Sequence, residues 1–161
     1  MRIRFHHHQW QLLILSALAG LLVSCGGGNS EVLSVRQLHL RDIHLADRDA
    51  QMVRGEQLYR LRNAVTLEQR RDRLGHYYTI YWDLPQAVTA DMKVVFEYQQ
   101  AATASKVISV EREIPAGQAK GSTEIQIIGS SYREGGSVLA WRARLMRGSQ
   151  IVAMKRSYLW R

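Results

Sequence analysis

Cysteine occurs once and proline twice in the 161 residues. A single cysteine excludes an intrachain disulfide framework and a multi-cysteine zinc site. The chain is too short for an α/β barrel with its loops, or for a dinucleotide domain joined to a substrate domain. No repeat with a period of roughly 20–50 residues runs through it. It has no Gly-x-Ser-x-Gly motif of the nucleophile-elbow kind. It has no phosphate loop either: Gly26-Gly27-Gly28 does not follow a strand pattern, and Gly135-Gly136 leads into one. Wholesale disorder is excluded by composition, with 46% apolar and 22% charged residues.

What the chain does have begins at its first residue. Arg2 and Arg4 stand beside Met1, followed by His6, His7 and His8. A mostly apolar run of 12 residues extends from Leu12 to Val23. A membrane-spanning helix needs about 20 apolar residues, so this run is short for an anchor. It matches a basic n-region followed by the h-region of a secretory signal peptide. The arginines hold the start of the chain on the cytoplasmic side while the apolar run partitions into the translocation machinery.

The run ends in Leu22-Val23-Ser24-Cys25, followed by Gly26-Gly27-Gly28-Asn29-Ser30. Here the sequence resembles the lipobox of bacterial lipoproteins, over residues 1 to 25 only. The resemblance implies that the Cys25 thiol receives a diacylglyceryl group and that cleavage falls between Ser24 and Cys25. It also implies acylation of the new amino terminus. Gly26 rather than Asp after the cysteine implies export to the outer membrane over retention at the inner one. A single acyl chain is a marginal anchor, whereas two or three on one residue hold the chain to lipid for good. Residues 26 to 30 make a flexible tether with a mean reach of about 12 Å, so the domain sits close to the headgroups. The expected organisation is a cleaved signal over 1–24, the lipidated cysteine and tether over 25–30, and one domain over 31–161. The n-region histidines leave with the signal.

Without Arg2 and Arg4 the chain keeps 20 basic residues against 14 acidic ones. Period-two alternation dominates what remains. Tyr78, Ile80, Trp82 and Leu84 share one face, and Tyr77, Thr79, Tyr81 and Asp83 the other, before Pro85 stops the ladder. Met92, Val94, Phe96 and Tyr98 form a second stripe. Ile108, Val110 and Ile114 share a third, with Arg112 as the exception. Ile125 and Ile127 form a fourth, against Glu124 and Gln126. Leu139, Trp141, Ala143 and Leu145 form a fifth, against Arg142 and Arg144. Arg147-Gly148-Ser149-Gln150 reads as a hairpin turn leading to a returning strand over 151–160, whose register is open. A first strand with a bulge is expected over 32–40.

One helix is expected near 67–74. Thr66-Leu67-Glu68-Gln69 has capping-box form, and Gly75 stands where a C′ glycine belongs. Leu67 and Leu74 would lay one edge on the sheet. The stretch from Asp47 to Asn63 fits a helix or a short strand. The fold class that follows is mainly β: an antiparallel two-sheet sandwich, immunoglobulin-like or fibronectin-like in architecture, with a small closed β-barrel as the alternative.

Chemistry-bearing residues are sparse. His39 and His44 are badly spaced for one metal, even with Asp42 and Asp47 nearby, and His76 reads as an edge residue. Ser130 and Ser131 lack a paired base in sequence, and a pocket joining His76, Asp83 and a serine would be needed for a hydrolase. Glu111 and Glu113 fall on one solvated strand face. No catalytic residue, metal or cofactor is therefore assigned. The basic surplus stands out: Arg142, Arg144, Arg147, Lys155 and Arg156, with Tyr132, Tyr158 and Trp160 near in sequence. Nucleic acid is an unsuitable partner for an exported domain, and an anionic envelope surface a suitable one. The expectation is a non-enzymatic lipoprotein of the cell envelope, on the periplasmic face of the outer membrane. Its partners are membrane lipid through Cys25 and, through the basic residues or the outward Tyr77 and Tyr81, another envelope protein or an anionic surface.

Overall fold

The computed structural model describes residues 31–41, 50–87, 91–103 and 105–161. Ser24, Cys25, His44, Asp42 and Asp47 lie outside the described residues. The strands are β1 (Leu33–Leu40), β2 (Gly75–Asp83), β3 (Met92–Gln100), β4 (Ile108–Glu113), β5 (Lys120–Ile128), β6 (Val138–Arg147) and β7 (Gln150–Arg156). The helices are α1 (Gln51–Leu61), α2 (Leu67–Arg73) and α3 (Gly129–Gly135). None of the helices among the described residues is long and apolar enough to cross a membrane.

The strands form two antiparallel sheets that do not close into a barrel. Sheet A has the order β1-β2-β5 and sheet B the order β4-β3-β6-β7. The sandwich expectation holds and the barrel alternative does not. Compared with an immunoglobulin constant domain, the fourth strand sits beside β3 in sheet B instead of beside β5 in sheet A.

The alternating stripes are what hold the sheets together. Tyr78, Ile80, Trp82, Val94, Phe96, Ile125, Ile127 and Leu145 are buried in one core between the sheets. Each such side chain contributes about 1.5–3 kcal/mol by leaving water. Aromatic contacts set the centre: the Tyr78 and Phe96 rings lie 4.7 Å apart, and Trp141 lies 5.7 Å from Tyr78. Gly121 is a packing requirement, because a Cβ there would stand 2.4 Å from the Trp82 ring.

Three local expectations are corrected. Leu139 is 49% exposed while Ala140 is buried, because the register shifts where Gln100 pairs with Val138 and Gln99 with Ala140, leaving Leu139 as the extra residue. The bulge expected in β1 is absent, since Leu33 to Leu40 pair without a break against Trp82 to Gly75. A bulge occurs instead in the last hairpin, between Leu145↔Ala153 and Met146↔Ile151. Helix α2 has its full capping box, with Thr66 and Gln69 bonded reciprocally, but it ends through an extended Leu74. Gly75, at φ 139°, opens β2 against the Ile127 carbonyl rather than capping the helix.

The remaining helices were not expected as such. The ambiguous segment before Asn63 is helix α1, and Ser130 and Ser131 lie in α3. Helices α1 and α2 form a hairpin over the outer face of sheet A, tied down by Tyr77, whose hydroxyl donates to the Arg73 carbonyl at 2.6 Å. Neither helix buries a residue of its own, and Leu67 is 72% exposed rather than laid on the sheet.

Candidate functional site

The basic residues singled out from sequence divide between the two faces of sheet B and are largely engaged: Arg142, Arg144 and Arg156 lie on its outer side, whereas Lys155 and Arg147 pair with the core residues Ala143 and Met92 and fall on the other. Glu97 of β3 takes both Arg142, at 2.6 Å, and Arg144, at 3.0 Å. The tail beyond β7 folds back so that the nearly buried Trp160 ring lies 4.9 Å from the Arg142 guanidinium, a cation–π contact. Arg156 donates to the Trp160 carbonyl at 3.5 Å. Lys155 pairs with Glu31, the first described residue. Arg147 is exposed beside the tight β6–β7 turn, where Gly148 takes φ 54°. The five residues are thus neighbours on one hairpin, but Arg142 and Arg144 serve an internal ion network instead of an open basic face.

A more open constellation lies on the outer face of sheet A. Arg60 of α1 grips Glu124 of β5 with both terminal nitrogens, one at 2.9 Å, and its Nε holds Glu56 at 3.0 Å. Its guanidinium stacks 4.0 Å above the Tyr77 ring. Hydrogen bonds from Arg60 hold the Glu124 carboxyl below its ordinary range and push the Arg60 pKa up. Arg73 of α2 donates to the carbonyls of Arg60, at 2.9 Å, and of Arg62. That link locks the two helices across Asn63, which adopts a left-handed φ of 66°. The result is an open groove of about 530 Å³ lined by Tyr59, Arg60, Arg62, Asn63, Arg73 and Gln126. Arg60 and Arg73 are spent on these internal partners, and Arg62, exposed beside Tyr59, is the groove's outward-facing guanidinium. Arg60 and Glu124 are far apart in sequence, so no local signal announces the site.

The third cluster lies at the other face of the same sheet end. His39 and His76 are cross-strand partners whose rings stack at 3.9 Å. His39 Nε2 lies 2.8 Å from the Tyr132 hydroxyl of α3, and His76 Nε2 accepts from the Val138 N–H at 3.2 Å. That bond requires His76 Nε2 to be unprotonated, and His76 Nδ1 has no partner. Burial, with His39 beside it, pushes the His76 pKa down to about 4. His39 is lowered too, by burial and then by Arg41. His76 is a buried residue rather than an edge one, and the neutral pair joins β1, β2, β6 and α3.

No catalytic arrangement forms around it among the described residues. Asp83 sits seven residues away along β2, about 24 Å by strand rise, and pairs with Lys120 at 2.8 Å. Ser131 contributes its carbonyl to the buried Gln100 amide at 2.9 Å. Among the described residues no group of three or more His, Cys, Asp or Glu could hold a metal ion. Glu111 is engaged by Lys93 at 2.6 Å. Comparison with protein-family models, with curated proteins and with solved structures finds no match to this chain.

Proposed function

We propose that this chain is a membrane-anchored lipoprotein of the cell envelope, whose sandwich acts as a binding or assembly module and not as a catalyst. The observation that carries the reading is the placement of the sole cysteine, Cys25, directly after an apolar run ending Leu22-Val23-Ser24. Two structural features support it. The described residues of the sandwich begin at Glu31, six residues past Cys25, so a lipid on that cysteine would hold the sandwich at a bilayer surface. The polar clusters serve packing and ion pairing, and His76 and Asp83 stand far apart. With Gly26 in place of Asp, the periplasmic face of the outer membrane is the proposed location.

Metabolic labelling with a fatty-acid probe tests the anchor. Incorporation into the wild type and its loss in Cys25→Ala are expected, and equal labelling of both overturns the reading.

A second reading, docking to another envelope protein, is favoured by one observation. Tyr77 is covered by the helices, but Tyr81 on the same sheet face stays 40% exposed. A partner captured by the wild type and lost with Tyr81→Ser would support that reading.

A further inference from the structure

We infer that the α1–α2 hairpin is a docking surface for an anionic phospholipid bilayer, with the exposed Arg62 at the groove meeting lipid phosphates. The inference deepens the anchored reading, on which it rests for the nearness of a membrane.

Its basis is a combination that water alone does not favour. Met52, Leu58 and Tyr59 of α1, Val65 of the connection and Leu67 of α2 are between 58% and 85% exposed. Neither helix buries any residue, so the hairpin turns polar groups toward sheet A and apolar groups away from it. The inward groups are Arg60, on Glu124 and over Tyr77, and Arg73, on two carbonyls. Met52 and Tyr59 are seven residues apart, on one helical stripe, and Tyr59 carries that stripe to the mouth of the groove.

Charge selects the occupant. Residues 50–74 carry six arginines against Glu56, Glu68 and Asp72. Two of those three carboxylates are already engaged, Glu56 by Arg60 and Asp72 by Arg133, and Arg60 is itself neutralised by Glu56 and Glu124. An exposed apolar set rimmed by arginine matches the chemistry of an interfacial segment on anionic lipid. Guanidinium groups take phosphate oxygens in a planar, two-pronged manner.

The geometry allows anchor and hairpin to meet one bilayer. Arg36, Tyr81 and Lys120 lie on the same outer face of sheet A, because they pair with or belong to the Thr79, Tyr81, Asp83 stripe. β1 spans about 24 Å, and six residues from Cys25 to Glu31 extend at most about 20 Å. The sheet can therefore lie along the membrane with its outer face down.

The test uses the full-length native protein mixed with vesicles of phosphatidylcholine, with and without phosphatidylglycerol. Flotation on phosphatidylcholine alone reads the anchor. Amide hydrogen exchange of residues 50–74, compared between the two vesicle types, reads the docking. Slower exchange on phosphatidylglycerol is expected. The difference should vanish in Arg62→Glu and shrink in Leu58→Ser, both exposed positions whose substitution spares the fold. Without an anchor, flotation would appear only when phosphatidylglycerol is present, so the two readings fail separately. Equal exchange on both vesicle types overturns the docking. So does protection by inorganic phosphate on phosphatidylcholine as strong as that by phosphatidylglycerol, which would mark a soluble-anion site.

Discussion

His76 shows how one side chain makes the fold sensitive to acid. Its ring stacks on His39, and its Nε2 is occupied by the Val138 N–H, so a proton can be added only by breaking that bond. With the folded pKa near 4 and the free value 6.5, the unfolded chain binds the proton first as pH falls. The stabilisation is therefore complete above about pH 6.5 and drains away between there and about pH 4, by up to about 3 kcal/mol. Urea unfolding across that range should show the decline, and a His76→Phe variant should flatten it. A midpoint independent of pH in the wild type would contradict the burial argument. Glu97 is the second single-residue hinge of stability. It is the shared partner of Arg142 and Arg144, and all three side chains are mostly covered. Glu97→Ala should cost about 2 kcal/mol in chemical denaturation, because two half-buried cations lose their counter-charge together. An unchanged denaturation midpoint would show that Trp160 alone suffices for Arg142.

At the scale of elements, strands were readable from sequence and helices mostly were not. In β2, β3 and β5 the core-facing residues alternate, so Ile80, Phe96 and Ile125 announce their face, although Tyr77 and Val95 on the opposite faces are buried as well. That rule misplaces Leu139 because a bulge resets the count, and a bulge is a property of pairing between strands, invisible within one. α2 was legible because its capping box is local. Thr66→Ala should lower stability by about 1 kcal/mol in thermal or urea unfolding, with no change in strand content by circular dichroism. α1 was ambiguous for a physical reason. Its sheet-facing side is built on Arg60 while Met52 and Leu58 face outward, which inverts the pattern by which amphipathic helices are recognised. The arginine groove was illegible for the same reason as most sites made in three dimensions. Arg60 and Glu124 are 64 residues apart, and only the β2–β5 register, with Thr79 opposite Glu124 and Tyr77 opposite Gln126, sets Glu124 diagonally from Tyr77.

At the scale of the whole molecule, the sandwich presents two unlike outer faces. The outside of sheet B is closed by the Glu97 network and the folded-back tail, whereas that of sheet A carries the helical hairpin at one end and Tyr81 nearer the other. Tyr81→Ser should leave the unfolding midpoint within about 0.5 kcal/mol of wild type. Tyr77→Ser should cost several times more, since its ring lies under Arg60 and its hydroxyl holds the Arg73 carbonyl. Equal effects of the two would mean that Tyr81 is covered. The way the chain joins the sandwich has a mechanical side. β1 starts just after Glu31 and is hydrogen-bonded along its whole length to β2, from Leu33↔Trp82 to Leu40↔Gly75. Tension that reaches Glu31 along the strand axis acts on that whole ladder. It loads eight rungs at once in shear instead of peeling them one by one, and β1 becomes the part of the sandwich best placed to bear a tug.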